Sequence, residues 1–195
     1  MERIILATSS PYRIEAFRSL GIDFISEGSN VNEKSNGRPQ NPRDLVLYLA
    51  RLKAEDVVKK FKFGIFIGFD SVAYFQRQIL EKPETKQEAF DRLKSLSGKD
   101  YQFYTGIYIL NTNNSKTASK VVVTDISLKR IGEDEIEKYL RRDSNFNTYA
   151  QGFNPLEGLG STFIKEIRGS YNNVLRGIPL EVVIDMLDCV GVPEE

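Results

Sequence analysis

One aspartate inside an otherwise apolar segment constrains this chain more than any other feature. Residues 64–75 read GIFIGFDSVAYF, and their β-branched and aromatic side chains predict a buried strand. Residues 76–78 predict a turn into a short returning strand at 79–80, so we expect a hairpin. Asp70 falls within the apolar run, where a buried carboxylate is costly unless it meets a cation, a metal ion or several hydrogen-bond donors. We interpret Asp70 as the strongest catalytic candidate, and the alternative is a turn or strand-edge aspartate that faces solvent.

The composition excludes several classes of function. The chain has 195 residues, 41% of them hydrophobic, which is enough to bury the core of one domain spanning 1–195. Lysine plus arginine equals aspartate plus glutamate at 27 each, so we expect no nucleic-acid or membrane partner. Histidine is absent, which excludes imidazole as a base, nucleophile or metal ligand. Carboxylates, lysine, arginine, hydroxyls or a metal ion with oxygen ligands must therefore carry any catalysis.

The single cysteine and the first residues of the chain both predict a cytoplasmic protein. The single cysteine, Cys189, cannot form an internal disulfide, and the first residues lack the regions of a signal peptide. No apolar run approaches the roughly 20 residues needed to cross a bilayer. Cys189 follows Val182, Val183 and Met186 at helical spacing, so we expect it to pack in the core.

The order of periodic segments predicts an α/β protein with a mixed sheet. The predicted strands are 3–7, 64–75, 79–80, 101–110, 116–129 and 163–167. The predicted helices are a segment containing IEAFRSL, 43–61, 85–96, 133–141 and 180–188, with long loops at 26–42 and 143–162.

The loop after the first strand is a candidate phosphate site. In LATSSPYR, Ser9, Ser10 and Arg13 lie where a strand leads into the start of a helix. Hydroxyls, backbone N–H groups and a guanidinium can converge there on phosphate oxygens. The alternative is that Ser9 or Ser10 simply caps the helix while Arg13 is solvated.

Four further features are weaker when each is taken alone. Lys82 follows the returning strand and could neutralise phosphate charge, although a surface lysine is the alternative. Glu33 lies in the polar loop, and Lys53 shares a helical face with two alanines; both could instead be solvated charges. Glycines in 157–161 would allow close backbone approach to a ligand. Neither a Walker-type phosphate loop nor GxGxxG occurs, so the two common nucleotide-binding folds are not supported.

Taken together, these segments resemble the Maf family of nucleoside triphosphate pyrophosphatases, also called septum formation proteins. LATSSPYR is similar to the family's LASxSPxR, ARLKA to its lysine-bearing helix, IGFDSV to IGxDxV and EKP to GKP. LSGKDYQFYTGIYIL resembles LSGxxxxxxTGxxxL, and the segment from EGLGS to RGIPL resembles the family's glycine loop and GSYxNVxGLPL. The motifs follow one another in family order through nearly the whole chain.

The resemblance implies a mixed sheet with flanking helices in two lobes around a central cleft, as in inosine triphosphatase-like proteins, and a homodimer. It implies cleavage of a nucleoside triphosphate to the monophosphate and pyrophosphate, with Mg²⁺ or Mn²⁺ as cofactor. Asp70 would be the catalytic acceptor and a metal ligand, and Glu33 would assist at the metal. The triphosphate would be bound by four residues: Ser10, Arg13, Lys53 and Lys82.

The resemblance also bears on the choice of base. One branch of the family selects dTTP and UTP and has SPRR and ADTV, whereas the other selects 7-methyl-GTP and has SPYR, SDQV and EGLG. Tyr12 and Glu157 match the second branch, Ser71 matches neither, and the GSY stretch leans toward the first. N7-methylated guanine is cationic and would favour a carboxylate and an aromatic face. We therefore expect 7-methyl-GTP as substrate, with Tyr12, Ser71 and Glu157 at the specificity positions and dTTP or UTP as the alternative.

Two departures from the family pattern leave a different class of function open. Ser71 fits neither branch, and Glu81 stands where the family has glycine. A nucleotide-binding regulatory protein with little hydrolysis would keep the pocket and tolerate both changes. The physiological role of an active enzyme could be house-cleaning of the nucleotide pool or control of cell division.

Overall fold

The computed structural model describes residues 3–143 and 146–191. Seven strands lie within these residues: β1 (Ile4–Ala7), β2 (Phe24–Ser26), β3 (Ile65–Phe75), β4 (Gln78–Leu80), β5 (Asp100–Asn111), β6 (Lys116–Leu128) and β7 (Ile164–Arg168). Six α-helices lie there too: α1 (Pro11–Arg18), α2 (Pro42–Val58), α3 (Lys86–Leu96), α4 (Glu133–Arg142), α5 (Tyr171–Arg176) and α6 (Leu180–Cys189). Two short 3-10 turns cover Phe146–Thr148 and Gly158–Thr162.

The strands form one mixed sheet, which confirms the predicted fold class. Their order is β2-β1-β3-β5-β6-β7, and β4 pairs with β3 outside this path. β1 runs parallel to both β2 and β3, whereas β4 is antiparallel to β3 and β7 is antiparallel to β6. Parallel strands must be joined by crossover connections. Here α1 lies between β1 and β2 in the chain, and α2 lies between β2 and β3.

The predicted hairpin of β3 and β4 is present and has a tight turn. Phe75 pairs with Gln78, and the two residues between them, Gln76 and Arg77, have φ of 49° and 64°. Two consecutive left-handed residues match the turn type that suits the right-handed twist of a hairpin.

Two elements were missed by the sequence analysis because they are short. β2 has only three residues, and it lies at the edge of the sheet beside β1. α5 has six residues, fewer than two helical turns, so neither segment is long enough to develop a clear hydrophobic period. The predicted loop 143–162 includes residues 144–145, which lie outside the described residues.

The chain divides into two compact units, each with its own hydrophobic core. Unit 1 comprises residues 1–71, 105–122 and 176–195, and unit 2 comprises 72–104 and 123–175. In unit 1, residues of β1, β3 and β5 pack with α1 and α6 on one cluster, while Ile5 and Phe66 pack with α2 on another. In unit 2, α3 and α4 pack with parts of β5, β6 and α5 around Phe153 and Phe163.

The prediction that Cys189 is buried is wrong. Val183 and Met186 are buried on α6, but Cys189 is exposed. At this end of the helix the buried side chains are Met186, Leu187 and the following Val190, so the buried face does not include position 189. Separately, no helix within residues 3–143 and 146–191 has the length and apolarity required to span a membrane.

Candidate active site

The candidate site in unit 1 depends on a close approach between α2 and β3. Gly68 of β3 faces the backbone of α2 so closely that a Cβ atom at this position would lie 1.9 Å from the Ala50 carbonyl oxygen. Ala50 and Ala54 are fully buried in the same face of α2. Small residues on both elements therefore bring the helix against the strand, and Lys53 shares that helical face.

Lys53 meets the aspartate that interrupts β3. The Lys53 Nζ atom donates to Asp70 Oδ1 over 2.6 Å and lies 2.8 Å from Glu33 Oε1. Asp70 is 6% exposed, the Lys53 side chain is 12% exposed, and the Glu33 side chain is 52% exposed. The structure thus brings together three predicted site residues, and the solvent-facing alternative for Asp70 is wrong.

The surroundings of Asp70 act on its protonation in opposite directions. Burial raises the pKa of Asp70 above its ordinary value, because the charged form loses its hydration. The adjacent Lys53 lowers the pKa, Glu33 raises it through like-charge repulsion, and Arg13 lowers it. The net direction is upward, so the site holds a carboxylate that is a stronger proton acceptor than an exposed aspartate.

Arg13 donates hydrogen bonds from three of its own nitrogen atoms. Its Nε donates to the Gly177 carbonyl oxygen over 2.8 Å, its Nη2 to Ser71 Oγ over 2.7 Å, and its Nη1 to the Phe69 carbonyl oxygen over 3.4 Å. Burial lowers the pKa of the guanidinium from its ordinary value, while Asp70 and Glu33 raise it. Arg13 is therefore a fixed, half-buried charge near the carboxylates, and the alternative of a solvated arginine is wrong.

Ser10 lies at the N-cap of α1 but does not cap the helix with its side chain. Its backbone is extended, Pro11 begins the helix, and its hydroxyl makes no capping hydrogen bond. The loop is held instead by Thr8, whose Oγ1 accepts from the Ser10 N–H over 3.1 Å and whose carbonyl oxygen accepts from the Ser26 hydroxyl over 3.0 Å. The Ser10 hydroxyl is thus compatible with the predicted role in binding phosphate, and Tyr12 follows it, half-buried, in the first turn of α1.

Ser71 helps to hold the Arg13 side chain in place. Its hydroxyl accepts from Arg13 Nη2 and also lies 2.7 Å from Thr105 Oγ1, which is fully buried. Thr105 and Gly177 were quoted in the sequence motifs, but neither was predicted as a site residue. Gly177 contacts Arg13 and Thr105 contacts Ser71, and both partners are distant in sequence, so the TG and GIPL motifs were the available signals.

The other predicted residues lie in unit 2. Lys82 is exposed just after β4, and Glu157 is exposed at the start of the 3-10 turn Gly158–Thr162. Glu81 has no left-handed backbone, and its carbonyl oxygen accepts a hydrogen bond from Arg92. The glycine found at this position in the family is therefore not required for backbone conformation here.

The donor set of unit 1 fits a divalent cation that is shared with a substrate. Across the described part of the chain, acidic and cysteine side chains do not gather in groups of three that could hold a metal ion. Magnesium is commonly bound by one or two carboxylates together with substrate phosphates and water. Asp70 and Glu33 supply such a pair, since both contact the same Lys53 ammonium nitrogen.

Comparison with known proteins gives one consistent result over the full chain. The model of the family described as Maf-like protein matches residues 3–190. A dTTP/UTP pyrophosphatase of Syntrophus aciditrophicus is 36% identical, with 97% of this chain and 91% of that protein covered. A 7-methyl-GTP pyrophosphatase of Nitrosococcus oceani is 34% identical, with 97% and 94% covered.

Among solved structures, a dITP/XTP pyrophosphatase from Mycobacterium abscessus aligns with 98% of this chain and 100% of its own, at 11% identity and a TM-score of 0.45. The fold class rests on the strands and helices described above. The family model and the relatives, which agree over nearly the whole length, show that this chain belongs to the family of Maf-like proteins.

Proposed function

We propose that this protein is a nucleoside triphosphate pyrophosphatase. Water adds across the anhydride bond between the α and β phosphates, and the products are a nucleoside monophosphate and pyrophosphate. Membership of the Maf-like family supports this reaction, because the relatives from Syntrophus and Nitrosococcus are both named pyrophosphatases of nucleotides. The buried Asp70, held 2.6 Å from Lys53, is the observation in unit 1 that supports it most strongly.

The charges around Asp70 suit the transfer of a phosphoryl group. Lys53 and Arg13 carry positive charge beside the carboxylate, and such cations stabilise the charge that develops on phosphate oxygens. Asp70, whose pKa is raised, orients the attacking water and accepts its proton. Ser10 binds phosphate from the start of α1, where backbone N–H groups favour anions. Lys82, in the EKP motif, is proposed as a further phosphate-binding residue from the family resemblance.

We further propose a divalent cation, Mg²⁺ or Mn²⁺, held by Asp70 and Glu33. When bound, such an ion supplies Lewis-acid stabilisation of the phosphate oxygens. Lys53 and Arg13 offset phosphate charge by themselves, and Asp70 remains the proton acceptor of the reaction.

For the base we propose 7-methylguanine, with dTTP and UTP as the alternative substrates. Glu157 is exposed, so its carboxylate is available to a cationic ligand, and Tyr12 is half-buried near the phosphate loop. Relatives with either substrate in their names match this chain at 29–36% identity.

Turnover of a nucleotide panel tests the reaction and the base together. We expect the protein with Mg²⁺ to cleave 7-methyl-GTP faster than GTP, dTTP, UTP and CTP, because only the methylated base is cationic. The products should be a monophosphate and pyrophosphate, measured by chromatography with and without added inorganic pyrophosphatase. Release of orthophosphate without added inorganic pyrophosphatase would refute the proposed reaction. Faster cleavage of dTTP or UTP than of 7-methyl-GTP would favour the alternative substrates.

Glu157→Gln is the matched variant for base choice. It keeps the shape of the side chain but removes its charge, so the rate should fall for 7-methyl-GTP and remain unchanged for GTP. An equal fall for both would show that Glu157 does not read the base. Tight binding of a nucleotide in calorimetry without turnover of any would favour the regulatory protein instead.

Ser71→Ala separates support of Arg13 from selection of the base. The substitution removes the oxygen that accepts from Arg13 Nη2 and contacts Thr105. We expect kcat/KM to fall about tenfold, equivalent to about 1.4 kcal/mol, by the same factor for 7-methyl-GTP and dTTP. Ser71→Thr retains a hydroxyl and should recover most of the loss. A fall confined to one base would instead support the prediction that Ser71 selects the substrate.

Several properties expected from the sequence complete the proposal. The chain acts as one domain over 1–195, although residues 1–2, 144–145 and 192–195 lie outside the described residues. We propose a cytoplasmic homodimer, as the family resemblance and the cysteine content suggest. We also propose that it has no nucleic-acid or membrane partner, in line with the balance of 27 basic and 27 acidic residues. House-cleaning of the nucleotide pool is the proposed role.

A further inference from the structure

We propose that Lys53 substitutes for the divalent cation when no nucleotide is bound, so that metal ion and nucleotide enter the site together. This inference rests on the proposed function for the assignment of Asp70 and Glu33 as metal ligands. It assigns to Lys53 a second task besides binding phosphate, which is to hold the two carboxylates in the absence of the metal ion.

The geometry places one nitrogen between both carboxylates. The Lys53 Nζ lies 2.6 Å from Asp70 Oδ1 and 2.8 Å from Glu33 Oε1. Two carboxylates that meet at one cationic atom are close enough together to hold a single cation between them. The ammonium therefore occupies the position in which a cation is stabilised by Asp70 and Glu33 at once.

The charge of the cluster makes it a poor site for a metal ion alone. Asp70 and Glu33 contribute two negative charges, while Lys53 and Arg13 contribute two positive ones. Lys53, Glu33 and Arg13 all act on Asp70, and both carboxylates act on Arg13. A divalent ion would enter a cluster that is already neutral, and would have to displace the Lys53 contacts. A triphosphate brings several negative charges, which attract both the ion and the ammonium, so the nucleotide removes this obstacle.

The lysine can move while its helix stays in place. The backbone of α2 is held against β3 at Gly68 and Ala50, which fixes the Cα position of Lys53. The ammonium lies at the end of four flexible methylene groups, so rotation about their bonds can carry it from carboxylate to phosphate without movement of the helix.

Binding of Mn²⁺ alone, measured by isothermal titration calorimetry without nucleotide, tests the inference. Lys53→Met keeps the length of the side chain and removes its charge. We expect this variant to bind Mn²⁺ at least about tenfold more tightly than the wild type, since a unit charge next to the ion is gone. Lys60→Met is the matched control, because Lys60 is a surface lysine of the same unit that pairs with Glu27, and its loss should leave the affinity unchanged. Adding Asp70→Asn to Lys53→Met should abolish the gain.

Equal or weaker Mn²⁺ binding by Lys53→Met than by the wild type would overturn the inference. A second measurement uses only the wild-type protein, in case the variant does not fold: a triphosphate with a methylene group between its α and β phosphates should raise Mn²⁺ affinity at least about tenfold. Equal affinity with and without this analogue would also overturn it. Neither measurement requires turnover, so an inactive protein that passes both would refute the proposed reaction and leave the inference standing.

Discussion

Asp70→Asn is expected to lower the turnover of nucleoside triphosphate by about three orders of magnitude or more. Asparagine has the shape of aspartate and can still accept the hydrogen bond from Lys53, but it carries no charge and is no proton acceptor. Asp70 is buried and lies 2.6 Å from the Lys53 ammonium, so its loss removes the carboxylate that faces the proposed cations most directly. The measurement is kcat for the preferred nucleotide, together with the thermal midpoint to establish that the variant is folded.

Asp56→Asn provides the matched control for this prediction. Asp56 is also an aspartate of unit 1 paired with a lysine, Lys59, and it accepts a hydrogen bond from the Asn30 N–H. Its loss should leave turnover within about twofold of the wild type, because an exposed ion pair contributes little. A folded Asp70→Asn protein with wild-type kcat would show that another group accepts the proton.

Gly68→Ala is expected to lower the stability of the protein substantially. The new Cβ would lie 1.9 Å from the Ala50 carbonyl oxygen and 3.0 Å from the Ala54 backbone nitrogen, and backbone atoms cannot turn aside as a side chain can. The helix must shift away from the strand, at a cost of about 3 kcal/mol or more in the free energy of unfolding. For a chain of this size we expect the thermal midpoint to fall by about 6–12 °C.

The same shift should reduce activity, because Lys53 on α2 would retreat from Asp70 on β3. Gly28→Ala is the matched control, since its Cβ would meet only the Ser9 Cβ atom at 3.6 Å, an ordinary contact. We expect that variant to keep its thermal midpoint within about 2 °C, as surface substitutions commonly do. A Gly68→Ala protein as stable as Gly28→Ala would contradict the proposed packing of α2 on β3.

Most of the elements could be predicted from the sequence, because local patterns determine them. The apolar run of β3, the alternation in β5 and β6, and the helical spacing in α3 lie in segments long enough to show their period. The three-residue β2 and the six-residue α5 do not. Cys189 shows a second limit of prediction from sequence. Helical spacing correctly predicted that Val183 and Met186 are buried, but it did not predict which residue at the end of α6 is exposed.

The sequence by itself determined that Asp70 needs a partner, because a carboxylate in a buried strand must be compensated by a cation, a metal ion or donors. Only the tertiary structure decided that the partner is Lys53, through the contact between Gly68 and Ala50 that brings two elements of the chain together. It also decided that Arg13 is anchored by Gly177 and Ser71, residues far from it in the chain. Local periodicity reports which side chains are buried, whereas the choice of partners depends on distances between elements that no local pattern contains.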